Sequence, residues 1–504
     1  VDRANEGPVG RAKTGSDFLQ LRIEEAPPGG RADWLSREIR AAIADGRLPI
    51  GSKLPASRVL AAELRVSRGV VTEAYQCLTE DGHVAGRGRA GTVVVAAPVP
   101  VPESGAARDP ARPCGALPEG ALFGAAPGTD VFDSLRAVEA PFDFTPGVPD
   151  LAAFPRAAWL RAERAVLAGL CASDLGYGDP RGAPVLRAAV AHWLARNRGI
   201  AADPADILIV AGVSQALILL AHVLRARGIG ELAVEEPGSL GARQHLRYGG
   251  MAMPAVPVDG EGIRVDALRA SGARAVLLTP AHQFPTGVVL SGERRRELMA
   301  WARESGGLIV EDDYDAEHRY DRPPVPAVRA MLPEAVAYTG SVSKLLAPAL
   351  RIGWLLPPPA YREALVAAKR FTDLGNGVLA QLVLARLMES GELERQLRML
   401  RRRHQRRRDT MIEGIGRHLP GAVVHGAAAG VHLMITFPPD APLVRGRCDL
   451  ELASLALAHG VKVQPLAWHR RHAGPPGLVL GYAASGQDRI AEGMAALGRA
   501  LRAR

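Results

Sequence analysis

Between about Phe142 and the C-terminus, short apolar runs alternate with helical patterns, and this alternation constrains the fold more than any other feature. Strand-like runs fall at Ile207–Val210, Leu232–Glu235, Ala275–Thr279, Leu308–Glu311 and Ala335–Tyr338, with about 15 to 30 residues carrying helices between them. Parallel strands need crossovers of that length, so the pattern predicts an α/β fold with a mostly parallel central sheet. A long helical region, Tyr361–Arg417, and a smaller α+β segment are expected to follow. The stretch Ile207–Leu224 is the most apolar, but Ser214, Gln215 and His222 interrupt it, so it reads as buried strand plus helix rather than a membrane span.

One loop in this half is chemically distinctive. After the run Ala335–Tyr338 comes the small-residue turn Gly340-Ser341-Val342-Ser343, then Lys344, and seven residues later Arg351. The chain has five lysines (Lys13, Lys53, Lys344, Lys369, Lys462) and carries nearly all its other positive charge as arginine. A lysine set between apolar runs and near a guanidinium loses its proton more readily, as a Schiff-base nucleophile requires. Ser341, Ser343 and Arg351 suit a phosphate. These features together point to pyridoxal 5'-phosphate (PLP) held on Lys344. Other strand ends extend the set. In VEDDYDAEHRYD, Asp312 can keep a pyridine nitrogen protonated, and Tyr314 can hydrogen-bond a ring hydroxyl. The turn AGVSQAL (Ala211–Leu217) opens a helix whose first amides offer a further phosphate site, with Ser214 and Gln215 in it. TPAHQFPTG (Thr279–Gly287) is another strand-end loop.

The N-terminal part has a different pattern. Leu35, Ile39, Ala42 and Ile43 recur at helical spacing up to Gly46; a second helix is expected over Ser57–Leu64, and a third begins at the N-cap residue Ser67. In the third helix Val70, Val71, Ala74, Tyr75 and Leu78 share one face, while Arg68, Gly69, Thr72 and Gln76 lie on the other. HVAGRGRAGTVVV (His83–Val95) reads as two strands around a Gly/Arg turn, the wing of a winged helix. Residues 31–95 hold ten basic and seven acidic side chains, and Arg58, Arg68, Arg87 and Arg89 sit where a duplex would lie. The expected DNA-facing set is Arg58, Ser67, Arg68, Gly69, Thr72, Arg87, Arg89 and Gly91.

The run from Ile39 to Val94 resembles the GntR-type winged helix through Gly46-Arg47-Leu48, Gly51, Leu54-Pro55, Ser57-Arg58, Leu60-Ala61, Val66-Ser67-Arg68, Ala74-Tyr75, Gly82 and Gly91-Thr92. Ala56 stands where such domains usually carry serine. The C-terminal half looks like a fold type I aminotransferase. The whole chain resembles the MocR subfamily of GntR regulators, through YGDPRGAPVLRAAVAHWLARNRGI, EDDYDAE, GSVSKLLAPALRIGW and AGVHL (Ala429–Leu433). The resemblance implies that Lys344 is the Schiff-base lysine, that Asp312 meets the pyridine nitrogen and Tyr314 the ring hydroxyl. It places Ser214, Gln215, Ser341, Ser343 and Arg351 around the phosphate. It further implies operator DNA as partner, PLP or a PLP-reactive amino compound as signal, and a head-to-tail homodimer. Two departures stand out: Ser239 follows Pro237-Gly238 where the subfamily usually has tyrosine, and Pro475–Ala483 lacks the late arginine that holds a substrate carboxylate in the enzymes. A sensor with little transaminase activity is therefore expected, with an active aminotransferase carrying an accessory DNA-binding domain as the alternative.

The expected organisation is a winged helix over 30–97, a Pro/Ala/Gly-rich linker over 98–140 and a PLP-binding effector domain over 141–504. Net charge of +9 permits a polyanionic partner. The four cysteines have neither metal-ligand spacing nor a disulfide framework, and VDRANEGPVGRAKTG lacks the apolar core of a signal peptide, so a cytoplasmic protein without a metal is expected. The run Arg401–Arg408 is read as the solvated face of a helix, with a second nucleic-acid surface as the other option.

Overall fold

The computed structural model describes the chain apart from residues 1–20, 22, 28–29, 45–46, 81, 87–90, 96–121, 125–129, 321–324, 439, 445 and 504. It divides into two compact units, Val1–Arg112 and Pro113–Arg504.

In the first unit, helices α1 (Arg31–Ala44), α2 (Ser57–Glu63) and α3 (Arg68–Glu80) precede the strands β1 (Val84–Gly86) and β2 (Thr92–Val94), which pair antiparallel. The apolar stripes expected from the sequence form its core: Leu35, Ile39, Ala42 and Ile43 pack with Leu60, Val71, Ala74, Leu78, Val84 and Val94. Ala56 gives α2 no side-chain cap, so this start lacks the roughly 1 kcal/mol of a serine cap. The turn into α3 passes through Arg65 in the left-handed region (φ 52°), and the Tyr75 hydroxyl donates to the Pro55 carbonyl at 2.8 Å. Arg58, Ser67, Arg68, Gly69, Thr72 and Gly91 are exposed, and the Arg68 Nε lies 3.3 Å from the Ser57 hydroxyl. Gly46, Arg87 and Arg89 lie outside the described residues.

The second unit is built on an eight-stranded sheet. Its strands in chain order are β3 (Leu208–Val210), β4 (Ala233–Glu236), β5 (Ala255–Asp259), β6 (Gly262–Ile263), β7 (Ala275–Leu278), β8 (Leu308–Asp313), β9 (Val336–Ser341) and β10 (Gly353–Leu356). The spatial order is β3-β10-β9-β8-β7-β4-β5-β6. Pairings from β9 through β8, β7 and β4 to β5 are parallel, whereas β10 runs antiparallel to both β9 and β3. Both faces are buried, and alternate residues divide between two cores. Ile209, Tyr338, Trp354 and Leu356 enter one, while Leu208, Val210, Ala337 and Leu355 enter the other. That is why these strands read as continuous apolar runs.

The expected helical region resolves into Pro359–Asp373, Val378–Glu389 and a 27-residue helix, Glu392–His418. A four-stranded antiparallel sheet follows, containing His432–Thr436 and Gly477–Gly481, with its own core around Phe144, Leu433, Leu480, Tyr482 and Met494. The stretch read as linker up to residue 140 includes a helix, α4 (Val131–Ala137), whose Phe132 meets Trp468 edge-on at 5.6 Å. Among the described residues no helix is long and apolar enough to cross a membrane. Cys448 is disulfide-bonded, which the scattered cysteine positions gave no reason to expect.

Candidate cofactor site

Strand direction and register create the site. Because β3, β8 and β9 all point the same way, the residues after their C-terminal ends gather at one edge of the sheet, where ligands of open α/β sheets bind. Thr339 pairs with Asp312, and Gly353 at the start of β10 pairs with both Ser341 and Val210. A Cβ on Gly353 would lie 2.8 Å from the Gly340 carbonyl oxygen and 3.0 Å from the Gly212 Cα. Only glycine lets the β9 turn and the β3 turn approach so closely. The result is a cavity of about 530 Å³ lined by Gly212, Ser214, Asp312, Tyr314, Ser341, Ser343, Lys344 and Arg351, among others.

Lys344 lies in the turn after β9, and its Nζ donates to the Gly147 carbonyl. A Cβ on Gly147 would come within 3.0 Å of that Nζ, so glycine here also clears space for the amine. Burial holds the Lys344 pKa below that of a free lysine, while the Asp315 and Asp312 carboxylates oppose the shift. Asp312 is pushed up to about 7 by burial and by the neighbouring Asp313 and Asp315. Its Oδ1 is buried without a hydrogen-bond partner. Such an orphaned acceptor costs free energy unless a donor arrives, and a protonated pyridine nitrogen is such a donor.

At the phosphate end, helix α5 (Val213–Ala226) starts from Gly212 at φ 81°, turning its first amides toward the cavity. Arg351, itself left-handed at φ 52°, donates to the Ala211 carbonyl and, at 3.0 Å, to the Ser214 hydroxyl. The Ser341 hydroxyl accepts from the Ser343 amide at 3.2 Å. Gln215 is placed differently from the expectation. Its side chain accepts from the Ala211 amide at 2.7 Å and donates to Asp373 at 2.7 Å, and it does not line the cavity. It braces the turn from behind, because a glutamine at the third helical position reaches back to its own helix start.

Sequence reasoning quoted His282 and His432 inside motifs but gave them no role. The His282 Nδ1 lies 3.0 Å from the Tyr314 hydroxyl and 3.0 Å from the Asp315 carboxylate. An ionised carboxylate only accepts, so the contact to Asp315 is made with the tautomer that carries its proton on Nδ1. His432 packs on His282 with ring centroids 5.1 Å apart, and burial pushes its pKa down to about 3, keeping it neutral. Gly147, Phe284 and His469 also line the site and were not singled out. Ser239 caps helix α6 (Leu240–Tyr248), accepting from the Ala242 amide at 3.2 Å, and lines the cavity where an aromatic residue was expected in the subfamily. The buried strand Gly477–Gly481 brings no cation to the site. The other lining cations, Arg136 and Lys462, are ion-paired to Asp133 and Asp143.

Comparison with known proteins agrees with both units. Residues 142–469 match the aminotransferase class I and II family, and residues 32–94 match the bacterial regulatory proteins of the gntR family. The probable rhizopine catabolism regulatory protein MocR of Rhizobium meliloti is 31% identical over 470 residues, covering 92% of each chain. This chain belongs to the MocR subfamily of GntR-type regulators. The HTH-type pyridoxine biosynthesis transcriptional regulator PdxR of Corynebacterium glutamicum is 29% identical, over 94% of this chain and 96% of the relative. Among solved structures, LysN, the α-aminoadipate aminotransferase of Thermus thermophilus complexed with N-(5'-phosphopyridoxyl)-L-leucine, superposes with a TM-score of 0.66. It is 27% identical, covering 77% of this chain and 97% of that one. The second unit is thus a fold type I aminotransferase-like domain and its cofactor is PLP, for which the orphaned Asp312 oxygen, the glycine-cleared Lys344 amine and the α5 start are suited.

Proposed function

We propose that this MocR-type regulator senses PLP, or an amino compound that reacts with it, and changes its affinity for operator DNA in response. The carrying observation is an imbalance. The residues that suit the cofactor are assembled, whereas Arg136 and Lys462, the lining cations away from the phosphate end, are ion-paired already. A site of that kind captures a cofactor without gripping a substrate carboxylate.

When bound, PLP supplies an electrophilic aldehyde and a ring that accepts electrons. Lys344, its proton loosened by burial, is the amine that would hold the cofactor through its aldehyde. Asp312 takes the role of carboxylate partner to the ring nitrogen, and its own raised pKa falls once that positive charge is beside it. Tyr314, braced by His282 and through it by Asp315, would hydrogen-bond the ring hydroxyl. Ser214, Ser341, Ser343, Arg351 and the first amides of α5 hold the phosphate; Gln215 holds their turn in shape. On the DNA side, Arg68 and Thr72 face the major groove, flanked by Arg58, Ser67 and Gly69. Arg87, Arg89 and Gly91 form the wing contact. The effector domain in this reading extends N-terminally of residue 141 to include α4, and the working form is a cytoplasmic head-to-tail homodimer.

The test has two arms. Operator DNA, selected from a random-sequence pool by the full chain, is titrated with cofactor-free and PLP-loaded protein, and transamination is assayed over a panel of amino acids. The proposal expects a change in DNA affinity and no sustained turnover. Steady turnover with identical DNA affinities would assign the chain to the enzymes instead.

A further inference from the structure

The arginine run of the 27-residue helix α7 (Glu392–His418) is not used by the cofactor site. Leu393, Leu397, Leu400, Met411 and Ile415 bury one side of that helix. On the other side Arg395, Arg398, Arg402, Arg403 and Arg406 line a groove of about 610 Å³, closed by Gly486 and Gln487 and reached from the packed side by the buried Arg407. Among the described residues, the carboxylates paired with these arginines are two. Buried Asp150 takes Arg403 at 2.8 Å and Arg407 at 2.9 Å, and Glu392 takes Arg395 at 2.8 Å. The side chains of Arg398, Arg402 and Arg406 are exposed, with no hydrogen-bond or ion-pair partner among the described residues.

These three recur every four residues on one helix face, advancing about 6 Å per step. Phosphates of one DNA strand advance about 3.4 Å each along the duplex axis, so successive guanidiniums fall near every second phosphate. A lone phosphate would be served by donors converging on a point; a row of unpaired donors suits a repeating polyanion. Among the described residues Met399 is the groove's only large apolar lining residue, unlike the core of a protein–protein interface. We infer that this groove binds the phosphate backbone of duplex DNA, without regard to sequence, as a second DNA contact carried by the aminotransferase-like unit. The inference does not depend on cofactor sensing.

The experiment compares the full chain with the triple variant Arg398→Ala/Arg402→Ala/Arg406→Ala on a 40-base-pair random-sequence duplex between about 50 and 200 mM salt. Losing three phosphate contacts should flatten the log–log salt slope by about 2.7, so wild-type affinity should fall about 40-fold further than the variant's across that range. The variant should keep its PLP absorbance, since the groove lies outside the cofactor cavity. The single variant Arg402→Gln, expected to flatten the slope by about 0.9, replaces the triple one if that does not fold. Equal slopes in folded wild type and variant would overturn the inference. So would loss of dimer in sedimentation, which would assign the row to a contact between copies of the chain.

Discussion

Replacing Asp312 with asparagine should make the cofactor-free protein more stable at alkaline pH while weakening its hold on PLP. Burial among Asp313 and Asp315 pushes the Asp312 carboxyl up to about 7 in the folded state. An unfolded chain leaves an aspartate near 3.9, and the difference between the two states corresponds to about 4 kcal/mol. The sign follows from which state binds the proton more tightly. The folded protein does, so this group's favourable contribution is complete below about pH 4 and is lost as pH rises through about 7. Asparagine cannot ionise and escapes that loss. The stability gap between Asp312→Asn and wild type, both cofactor-free, should be about 1–2 kcal/mol near pH 5 and widen by about 2–3 kcal/mol more by pH 8. Urea unfolding at the two pH values, followed by tryptophan fluorescence, measures it. PLP should narrow the gap at pH 8, because a protonated ring nitrogen makes the carboxylate favourable again. A gap that is the same at pH 5 and pH 8 would refute the reasoning.

Three further outcomes are expected. Borohydride reduction of PLP-loaded protein should fix the cofactor on the peptide containing Lys344, and Lys344→Ala should lose the visible absorbance band; a persistent band in that variant would contradict the assignment. Gly353→Ala places a methyl group 3.0 Å from the Gly212 Cα, so it should cost about 1–3 kcal/mol in thermal stability and lower PLP affinity by prising the phosphate turns apart. Arg68→Ala should cost about 1–3 kcal/mol in operator binding and relax specificity at one base pair, read by competition with single-substitution operators.

The sequence made the local parts of this molecule readable. The SVSK turn, EDDY and the α5 start each lie within one strand–loop connection, so residue type and spacing carry their chemistry directly. The winged helix was readable for the same reason: its core is an apolar stripe on each of three short helices. What escaped notice was assembled across distance. His282, Asp315 and His432 come from three separate segments, and only the fold makes them neighbours. Gly147 matters because Lys344 reaches it from 197 residues away. Helix α4 was hidden in a stretch rich in proline, alanine and glycine, since Phe132 finds its partner, Trp468, in a distant loop. Gln215 shows the converse: a residue in the right motif whose side chain is taken up by its own helix start and by Asp373. The arginine run is solvent-facing only in part: Arg402, Arg403 and Arg406 are exposed, whereas His404 and Arg407 are buried, and the groove depends on Gly486 and Gln487 from a later turn.

The central claim is that cofactor site and DNA-binding head share one equilibrium, and linkage makes that testable from the cofactor side. If PLP changes operator affinity by about 5- to 150-fold, the usual range for coupling of about 1–3 kcal/mol, then operator must change PLP affinity by the same factor. The decisive measurement is the PLP dissociation constant of the full chain with and without saturating selected operator, with Lys344→Ala as control. A shift equal in size and direction to the PLP effect on operator binding, absent in Lys344→Ala, is the predicted result. Identical PLP affinities with and without operator would contradict it.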